Sequence, residues 1–323
     1  MGGALDPAVA SGRNEVRRAL DDLGPGSRIV VGVSGGADSL ALAAVTAFVA
    51  DRESYDLRAV IVDHQLQVGS AEVAVRAADQ LGGLGNLGGV AVGADIVTVG
   101  VGTAGGPGAA ARRARYEALA GLDADAVLLA HTLDDQAETV LLGLGRGSGP
   151  RSIAGMTEHD GLWRRPFLAL RRADTEQICR AHGLDWWMDP HNSDPSYRRS
   201  RLRSEVMPLL EDVLGGGVAE ALARTADQVR ADGMHLDALA ALVAEPRDVG
   251  TLLELTPALR SRVLRAAALE AGADGSALTS AHLAELDRLV TAWHGQVRIE
   301  LPGGVACMRE GRSLLFVTTP VAG

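Results

Sequence analysis

The sequence contains no lysine, so all 31 of its basic residues are arginine. A Walker A phosphate loop needs a lysine after its glycines, and Schiff-base catalysis needs a lysine amine, so both are excluded. The two cysteines, Cys179 and Cys307, lie far apart and give neither a disulfide framework nor a CxxC metal or redox motif.

Long apolar runs and a general excess of positive charge are also absent. No apolar stretch is long enough to cross a membrane, and the first residues lack the basic-then-apolar order of a signal peptide. These features predict a cytoplasmic, reduced protein without a membrane partner. The formal net charge is -10, but eleven arginines and only seven acidic residues lie between Arg146 and Arg203. This basic belt is compatible with one docked polyanion, and an ordinary solvated surface is the alternative.

Apolar strand-like segments alternate with helical segments over the first two thirds of the chain. Strands are predicted at 28–33, 57–63, 95–101 and 125–130, with helices at 38–50, 70–81, from 109 and at 134–145. Later segments predict helices at 218–242, 256–271 and 280–293, then short strands at 296–300, 305–309 and 313–317. The fold class is therefore predicted to be α/β. A parallel-sheet, Rossmann-like domain (1–210) precedes a smaller α+β domain (211–323), helical and then β-rich.

The first predicted strand ends in the string SGGADS, which contains Ser34, Gly35, Gly36, Asp38 and Ser39. Glycines let the backbone approach a ligand closely, and the following helix directs its N–H groups at an anion. The carboxylate of Asp38 is compatible with a bound phosphate only when a divalent cation lies between them. The string therefore indicates a nucleotide with Mg²⁺, and a structural turn with Asp38 as helix cap is the alternative.

SGGADS resembles the SGGxDS pyrophosphate loop of the N-type ATP pyrophosphatases, the PP-loop enzymes that cleave ATP to AMP and pyrophosphate. Asp63 and His64, at the end of the second predicted strand, resemble the segment that binds adenosine in this family. Without that resemblance, they would be interpreted as a local hydrogen-bonded pair.

A second acidic cluster follows the fourth predicted strand, in the string AHTLDDQAETVLLGLGRGSG. Helical spacing places Asp134, Asp135 and Glu138 on one face. Like charges packed in this way need a cation or a cationic substrate, unless they form a solvated first turn favoured by the helix dipole.

The whole string resembles the HxxDDQAET…RGSG segment of the tRNA(Ile)-lysidine synthetases. Three further segments, ARRARY at 111–116, RPF at 165–167 and DPHNSDPSYRRSRLR at 189–203, also resemble segments of that family, and together the matches cover roughly residues 28–211. Three positions depart from the family pattern: Gly108 replaces a glutamate, Thr132 a histidine and Ser200 an asparagine.

The resemblance implies a two-step reaction on the wobble cytidine of tRNA(Ile) with a CAU anticodon. ATP adenylates the C2 oxygen, and the amine of free L-lysine then displaces AMP to give lysidine. Asp38 is implied in metal binding and catalysis. Asp135 and Glu138 are implied in binding and orienting lysine, and Arg112 in neutralising phosphate or the activated base.

Further residues are implied in substrate binding: Arg115, Asp134, Arg146, Tyr197, Arg199, Arg201 and Arg203. The arginines of the 197–203 segment would hold tRNA backbone near the anticodon, unless Arg201 and Arg203 pair with the acids at 189–194. Trp186 and Trp187 are predicted core residues, with a platform for a base as the alternative. The alternatives are an inactive ATP- and tRNA-binding module and a related PP-loop thiolating enzyme. No protein partner is inferred, and only homodimerisation is left open.

Overall fold

The computed structural model describes residues 5–65, 67, 69–87, 89–102, 107–147, 149–189, 194–275, 277–295 and 298–318. These ranges belong to two compact units, the first formed by 1–139 with 156–223 and the second by 140–155 with 224–323. The boundary predicted at residue 210 stays a prediction.

Helices alternate with strands through most of the first 146 residues. The helices are α1 (Pro7–Ala19), α2 (Ala37–Glu53), α3 (Ser70–Gly83), α4 (Pro107–Ala120), α5 (Leu133–Arg146), α6 (Pro150–Ile153), α7 (Arg172–Ala181), α8 (Arg198–Arg201), α9 (Met207–Val213), α10 (Val218–Ala241), α11 (Val249–Glu254), α12 (Pro257–Glu270) and α13 (Ser280–Thr291). Short 3₁₀ segments span Leu84–Leu87 and Pro166–Ala169, and a π-helical turn spans Leu202–Val206.

The strands form two sheets. They are β1 (Arg28–Val33), β2 (Asp56–Asp63), β3 (Ala94–Thr98), β4 (Ala126–Leu128), β5 (His159–Asp160), β6 (Trp163–Arg164), β7 (Ile299–Leu301), β8 (Val305–Glu310) and β9 (Ser313–Thr318). Within the described ranges the first sheet has the order β3-β2-β1-β4-β6-β5, and only β5 runs antiparallel to its neighbour. The predicted α/β class is confirmed.

The core of the first unit explains why these segments are so apolar. Ile29, Val31 and Val33 of β1 are buried, as is nearly the whole length of α2, including Leu40 and Leu42. A helix that is covered on most sides shows little amphipathic contrast, in agreement with the apolar run at 40–50. Helices on both faces of the sheet therefore bury strands that are apolar on both faces.

The strand order determines where a ligand can bind. The chain leaves β1 for β2 on one side, whereas β4 pairs with β1 on the other side. The loops after β1, β2 and β4 consequently meet at the carboxyl edge of the parallel strands, where open α/β sheets bind ligands.

The second unit contains α10 from residue 224 onwards, the helices α11, α12 and α13, and the antiparallel sheet β7-β8-β9. Of the strand predicted at 296–300, residues 296 and 297 lie outside the described residues. Its core includes Leu252, Leu264, Leu286 and Leu314, each fully buried. No helix in the described part of the chain is long and apolar enough to cross a membrane.

Candidate active site

The SGGADS loop is a turn between β1 and α2. Gly35 has φ +81°, and a Cβ added there would lie 3.1 Å from Cγ1 of Val73, so a side chain is disfavoured by conformation and by space. Ser39 Oγ accepts the Ser34 N–H at 3.1 Å and donates to the Gly36 carbonyl at 2.9 Å. These bonds hold the loop open at the beginning of α2, whose first N–H groups favour an anion.

Asp38 lies in the first turn of α2, and its carboxylate lines a cavity above the loop. Its Oδ1 accepts a hydrogen bond from Thr175, and its Oδ2 lies 3.6 Å from Nε of Arg172. Burial raises the pKa of Asp38, although Arg172 and Thr175 oppose this effect. The helix cap is Gly36, so the alternative interpretation of Asp38 as N-cap is not supported.

Asp63 and His64 follow as β2 ends. Asp63 is buried, and its Oδ1 accepts the N–H of Gln65 at 2.9 Å. His64 Nδ1 is buried without a hydrogen-bond partner among the described residues. Burial and the neighbouring Arg115 lower the pKa of His64, so its imidazole is neutral near pH 7.

Thr132 caps α5 and fixes the orientation of Asp135. The backbone N–H and the Oγ1 of Thr132 donate to Asp135 Oδ2 at 2.9 and 3.1 Å. The other oxygen, Oδ1, lies 3.4 Å from Nη2 of Arg172 and 3.3 Å from Nη2 of Arg203. Burial alone would raise the pKa of Asp135, but Arg172, the Thr132 N–H and Arg203 together hold it below the ordinary value.

Glu138 is only 1% exposed and is held by two arginines. Arg203 donates to it through Nε at 2.7 Å and Nη2 at 3.1 Å, and Nε of Arg199 lies 3.2 Å away. Arg199 also donates to Thr139 at 2.7 Å. Arg203 lies in the π-helical turn, a feature that often occurs at functional sites.

Asp134 faces a different partner. Its Oδ1 accepts from Nε of Arg171 at 3.1 Å, and its Oδ2 accepts the backbone N–H of Arg172 at 2.7 Å. It therefore attaches the beginning of α7 to α5, and it leaves Asp135 as the first-turn carboxylate that lines the cavity.

Helix α4 and the end of β4 bring further nitrogen groups to the cavity. Arg112 donates to the Tyr116 hydroxyl at 2.9 Å. Arg115 Nε and His131 Nδ1 are buried without a partner among the described residues. Burial lowers the pKa of Arg115, and burial lowers that of His131 to about 3, so His131 is neutral near pH 7. Buried nitrogens without partners are costly unless a ligand or water satisfies them.

The cavity has a volume of about 770 Å³, within the range of small-molecule sites. The predicted nucleotide-binding residues that line it are Ser34, Gly36, Asp38, Ser39, Asp63 and His64. The other predicted residues that line it are Arg112, Arg115, Asp135, Arg199 and Arg203. Four helices (α2, α4, α5 and α8), the π-helical turn and the segments at the ends of β1 and β2 thus bring eleven of the predicted residues to one space.

Six predicted residues do not line this cavity in the described structure. Gly35 shapes the loop through its backbone turn, and the other five are Asp134, Glu138, Arg146, Tyr197 and Arg201. Arg146 donates to the Leu142 carbonyl at 3.2 Å, and Arg201 pairs with Glu205 at 2.8 Å. Arg203 pairs with Asp135 and Glu138. The sequence had instead predicted that its partner would be either tRNA or one of the acids at 189–194.

Sequence reasoning did not assign Arg172, although it touches both Asp38 and Asp135. The only local signal was a pair of arginines before a polar helix, which is typical of a surface. Trp187 was predicted to be core, but it is half-buried and lines the cavity.

A parallel sheet with a glycine- and serine-lined anion loop after its first strand defines a PP-loop domain, an ATP-using class. The PP-loop domain family matches residues 11–210, and the TilS substrate binding domain matches 248–314. The chain belongs to the tRNA(Ile)-lysidine synthase family. It is 50% identical over 317 residues to the tRNA(Ile)-lysidine synthase of Thermobifida fusca, covering 95% of each chain. It is 53% identical over 286 residues to that of Mycobacterium bovis, covering 85% of this chain and 83% of the relative.

A solved structure supports the fold alone. The U34-tRNA thiolase NcsA from Methanococcus maripaludis, with its [4Fe-4S] cluster, superposes with a TM-score of 0.55 at 18% identity. The match covers 69% of this chain and 79% of the thiolase. At this identity the likeness extends to the arrangement of strands and helices and not to chemistry.

Proposed function

We propose that the chain joins free L-lysine to C2 of the wobble cytidine of tRNA(Ile) with a CAU anticodon, through an adenylated cytidine. AMP and pyrophosphate are the other products. The observation that carries this proposal is one cavity that is lined both by the SGGADS loop and by Asp135 with its arginines. The substrates would meet there in the cytoplasm.

The nucleotide side fits ATP. The N–H groups at the beginning of α2 and the Ser34 and Ser39 hydroxyls would bind the phosphates, and Asp63 and His64 would bind the adenosine. Asp38, one partly open carboxylate, fits a Mg²⁺ ion that takes its other ligands from phosphates and water. Within the described residues, no group of three acidic, histidine or cysteine side chains could hold a metal. Bound Mg²⁺ would stabilise the charge of the departing pyrophosphate.

The acceptor side fits a cationic amino acid beside an activated base. Asp135 would bind the lysine ammonium through Oδ1, and the same oxygen would accept the proton that must leave before the amine attacks. Glu138 would act on lysine through Arg203 and Arg199, because both of its oxygens are engaged by them. Arg112 and Arg115 would neutralise the phosphate of the activated cytidine.

The remaining predicted residues would contact tRNA outside the cavity. Tyr197 and Arg201 are exposed, and Arg146 is exposed at the end of α5. Arginines can pair with RNA phosphates, and a tyrosine can stack on an unpaired base.

An incorporation assay tests this function. The full chain is mixed with tRNA(Ile) transcript, ATP, Mg²⁺ and radiolabelled lysine, and the label in acid-precipitable RNA is counted. We expect label with wild type and with Asp95→Asn, a matched change in an exposed pair with Arg58. We expect none with Asp135→Asn and none with methionine tRNA, which carries the same anticodon. No label with wild type, with ATP and tRNA still bound, would favour the inactive-module alternative.

The thiolating alternative lacks a structural basis in the described residues. Cys179 and Cys307 are fully buried in the cores of their own units, and burial raises the pKa of each thiol to about 12. Neither is a thiolate near neutral pH, so neither is prepared to hold sulfur or a cluster.

A further inference from the structure

Asp135 lines the cavity, and one of its oxygens, Oδ1, is already shared by two arginines. Arg172 and Arg203 approach Oδ1 to 3.4 and 3.3 Å, while Oδ2 is occupied by Thr132. A lysine ammonium could reach this carboxylate only beside two guanidinium groups. Like charges at such distances repel strongly in a partly buried site.

The charges at this point balance among the described side chains. The three carboxylates are Asp38, Asp135 and Glu138, and the three guanidiniums in contact with them are Arg172, Arg199 and Arg203. Within this cluster of described side chains, each carboxylate therefore already has a guanidinium partner.

The two arginines on Asp135 are held differently. Arg203 makes short hydrogen bonds of 2.7 and 3.1 Å to the buried Glu138, which fix it independently of Asp135. Among the described residues, the guanidinium of Arg172 has longer contacts, 3.4 Å to Asp135 and 3.6 Å to Asp38. Of the two, Arg172 is the guanidinium that is held less closely.

Arg172 also lies where nucleotide phosphates would bind. Its second partner, Asp38, is in the first turn after the phosphate loop, and Arg172 itself lines the cavity. Guanidinium–phosphate pairs are charge-assisted and frequently bidentate, so a triphosphate competes well for it.

We infer that Arg172 is a positioning residue that changes partner, from Asp135 in the free enzyme to the phosphates when ATP binds. This inference rests on the proposed function. The change uncovers Asp135 Oδ1 and makes the lysine site only after the nucleotide is present. Because coupling between two ligands is reciprocal, lysine tightens nucleotide binding by the same factor.

Equilibrium dialysis of radiolabelled lysine against the full chain tests the exchange without tRNA. Lysine affinity is measured with and without α,β-methylene-ATP and Mg²⁺, a nucleotide that cannot be cleaved between its α- and β-phosphates. We expect about a tenfold tighter affinity with the nucleotide, within the usual range of coupling. Nucleotide affinity with and without lysine should change by the same factor.

Variants identify the residue that is responsible. With Arg172→Gln, lysine should bind without nucleotide nearly as tightly as it binds wild type with nucleotide, and the coupling should fall below about twofold. Arg17→Gln, an exposed arginine 3.5 Å from Glu53, should keep the tenfold coupling. A purely structural role for Arg172 would weaken lysine binding in both states instead.

Three results would overturn the inference: equal lysine affinity in both states of wild type, a loss of affinity in both states of Arg172→Gln, or full coupling in that variant. If lysine is still incorporated into tRNA, such a result leaves the proposed function standing. Absence of both lysine binding and labelled RNA in wild type would remove the function as well. The wild-type comparison remains decisive if Arg172→Gln fails to fold.

Discussion

Replacement of Glu138 by glutamine tests whether this carboxylate organises the arginine side of the cavity. Its side chain is almost inaccessible and carries the contacts to Arg203 and Arg199. Glutamine keeps the shape and one acceptor oxygen, but it turns the other oxygen into an NH₂ group that faces guanidinium donors. The substitution thus removes a charge without opening a cavity.

The expected destabilisation follows from what the arginines lose. Removal of one partner of a buried ion pair costs about 3–5 kcal/mol. Here Arg199 is 41% exposed and Arg203 keeps Asp135, so both recover part of the lost interaction. We therefore expect the free energy of unfolding to fall by about 2–3 kcal/mol, and the Tm by roughly 4–12 °C.

Urea and thermal unfolding measure this loss, and the incorporation assay measures its effect on lysine transfer. Glu205→Gln is the matched control, because Glu205 pairs with Arg201 in solvent and its loss should leave stability nearly unchanged. A loss below about 1 kcal/mol for Glu138→Gln would show that the arginines are solvated without it, and would refute the reasoning.

Three further predictions test other parts of the structure with four substitutions. Gly35→Ala should destabilise the fold by about 1–3 kcal/mol, by urea unfolding, and weaken ATP binding, because alanine tolerates its positive φ poorly. Gly143→Ala should lower the free energy of unfolding, measured by thermal unfolding, by about 3 kcal/mol or more, since the new Cβ overlaps the Ser152 carbonyl. Gly145→Ala in the same helix has open space around it and should raise the free energy of unfolding by about 0.5–1 kcal/mol. Asp38→Asn should abolish lysine incorporation. It should also raise the free energy of unfolding at pH 7, because the folded state raises the pKa of this carboxyl and its ionisation opposes folding. In urea unfolding this gain should vanish as the pH falls below about 4.

Contrary outcomes are equally specific. An unchanged Gly35→Ala would mean that the loop relaxes, and equal effects at Gly143 and Gly145 would mean that helix propensity, rather than contact, decides. A loss of stability in Asp38→Asn at pH 7 would mean that the contacts of Asp38 with Arg172 and Thr175 outweigh its burial.

The buried strands were predictable because their signal is local. The run RIVVGV coincides with β1, Arg28–Val33, since a strand covered on both faces is continuously apolar. Strand ends were less accurate. The predicted strand 125–130 is only Ala126–Leu128, because its outer neighbour β6 supplies just two residues, Trp163 and Arg164. The partner, which lies elsewhere in the chain, sets the length.

The site shows the same division. The spacing of Asp135 and Glu138 on one helix is a local property, and the fold places both as expected at the end of β4. Their partners are not local, because Arg203 lies 65 residues from Glu138 and Arg172 lies 37 residues from Asp135. The sequence offers many acidic residues as possible partners for each arginine, and only the packing of the fold determines which of them it contacts.

In the described structure, the cations that contact Asp135 and Glu138 are all guanidinium groups. This protects the protein from reaction with its own activated intermediate. An adenylated base is an electrophile that any nearby neutral primary amine would attack. Guanidinium stays protonated in proteins, and the chain has no lysine side chain to compete. The enzyme can therefore surround its activated intermediate with positive charge without becoming covalently attached to the RNA through its own side chains.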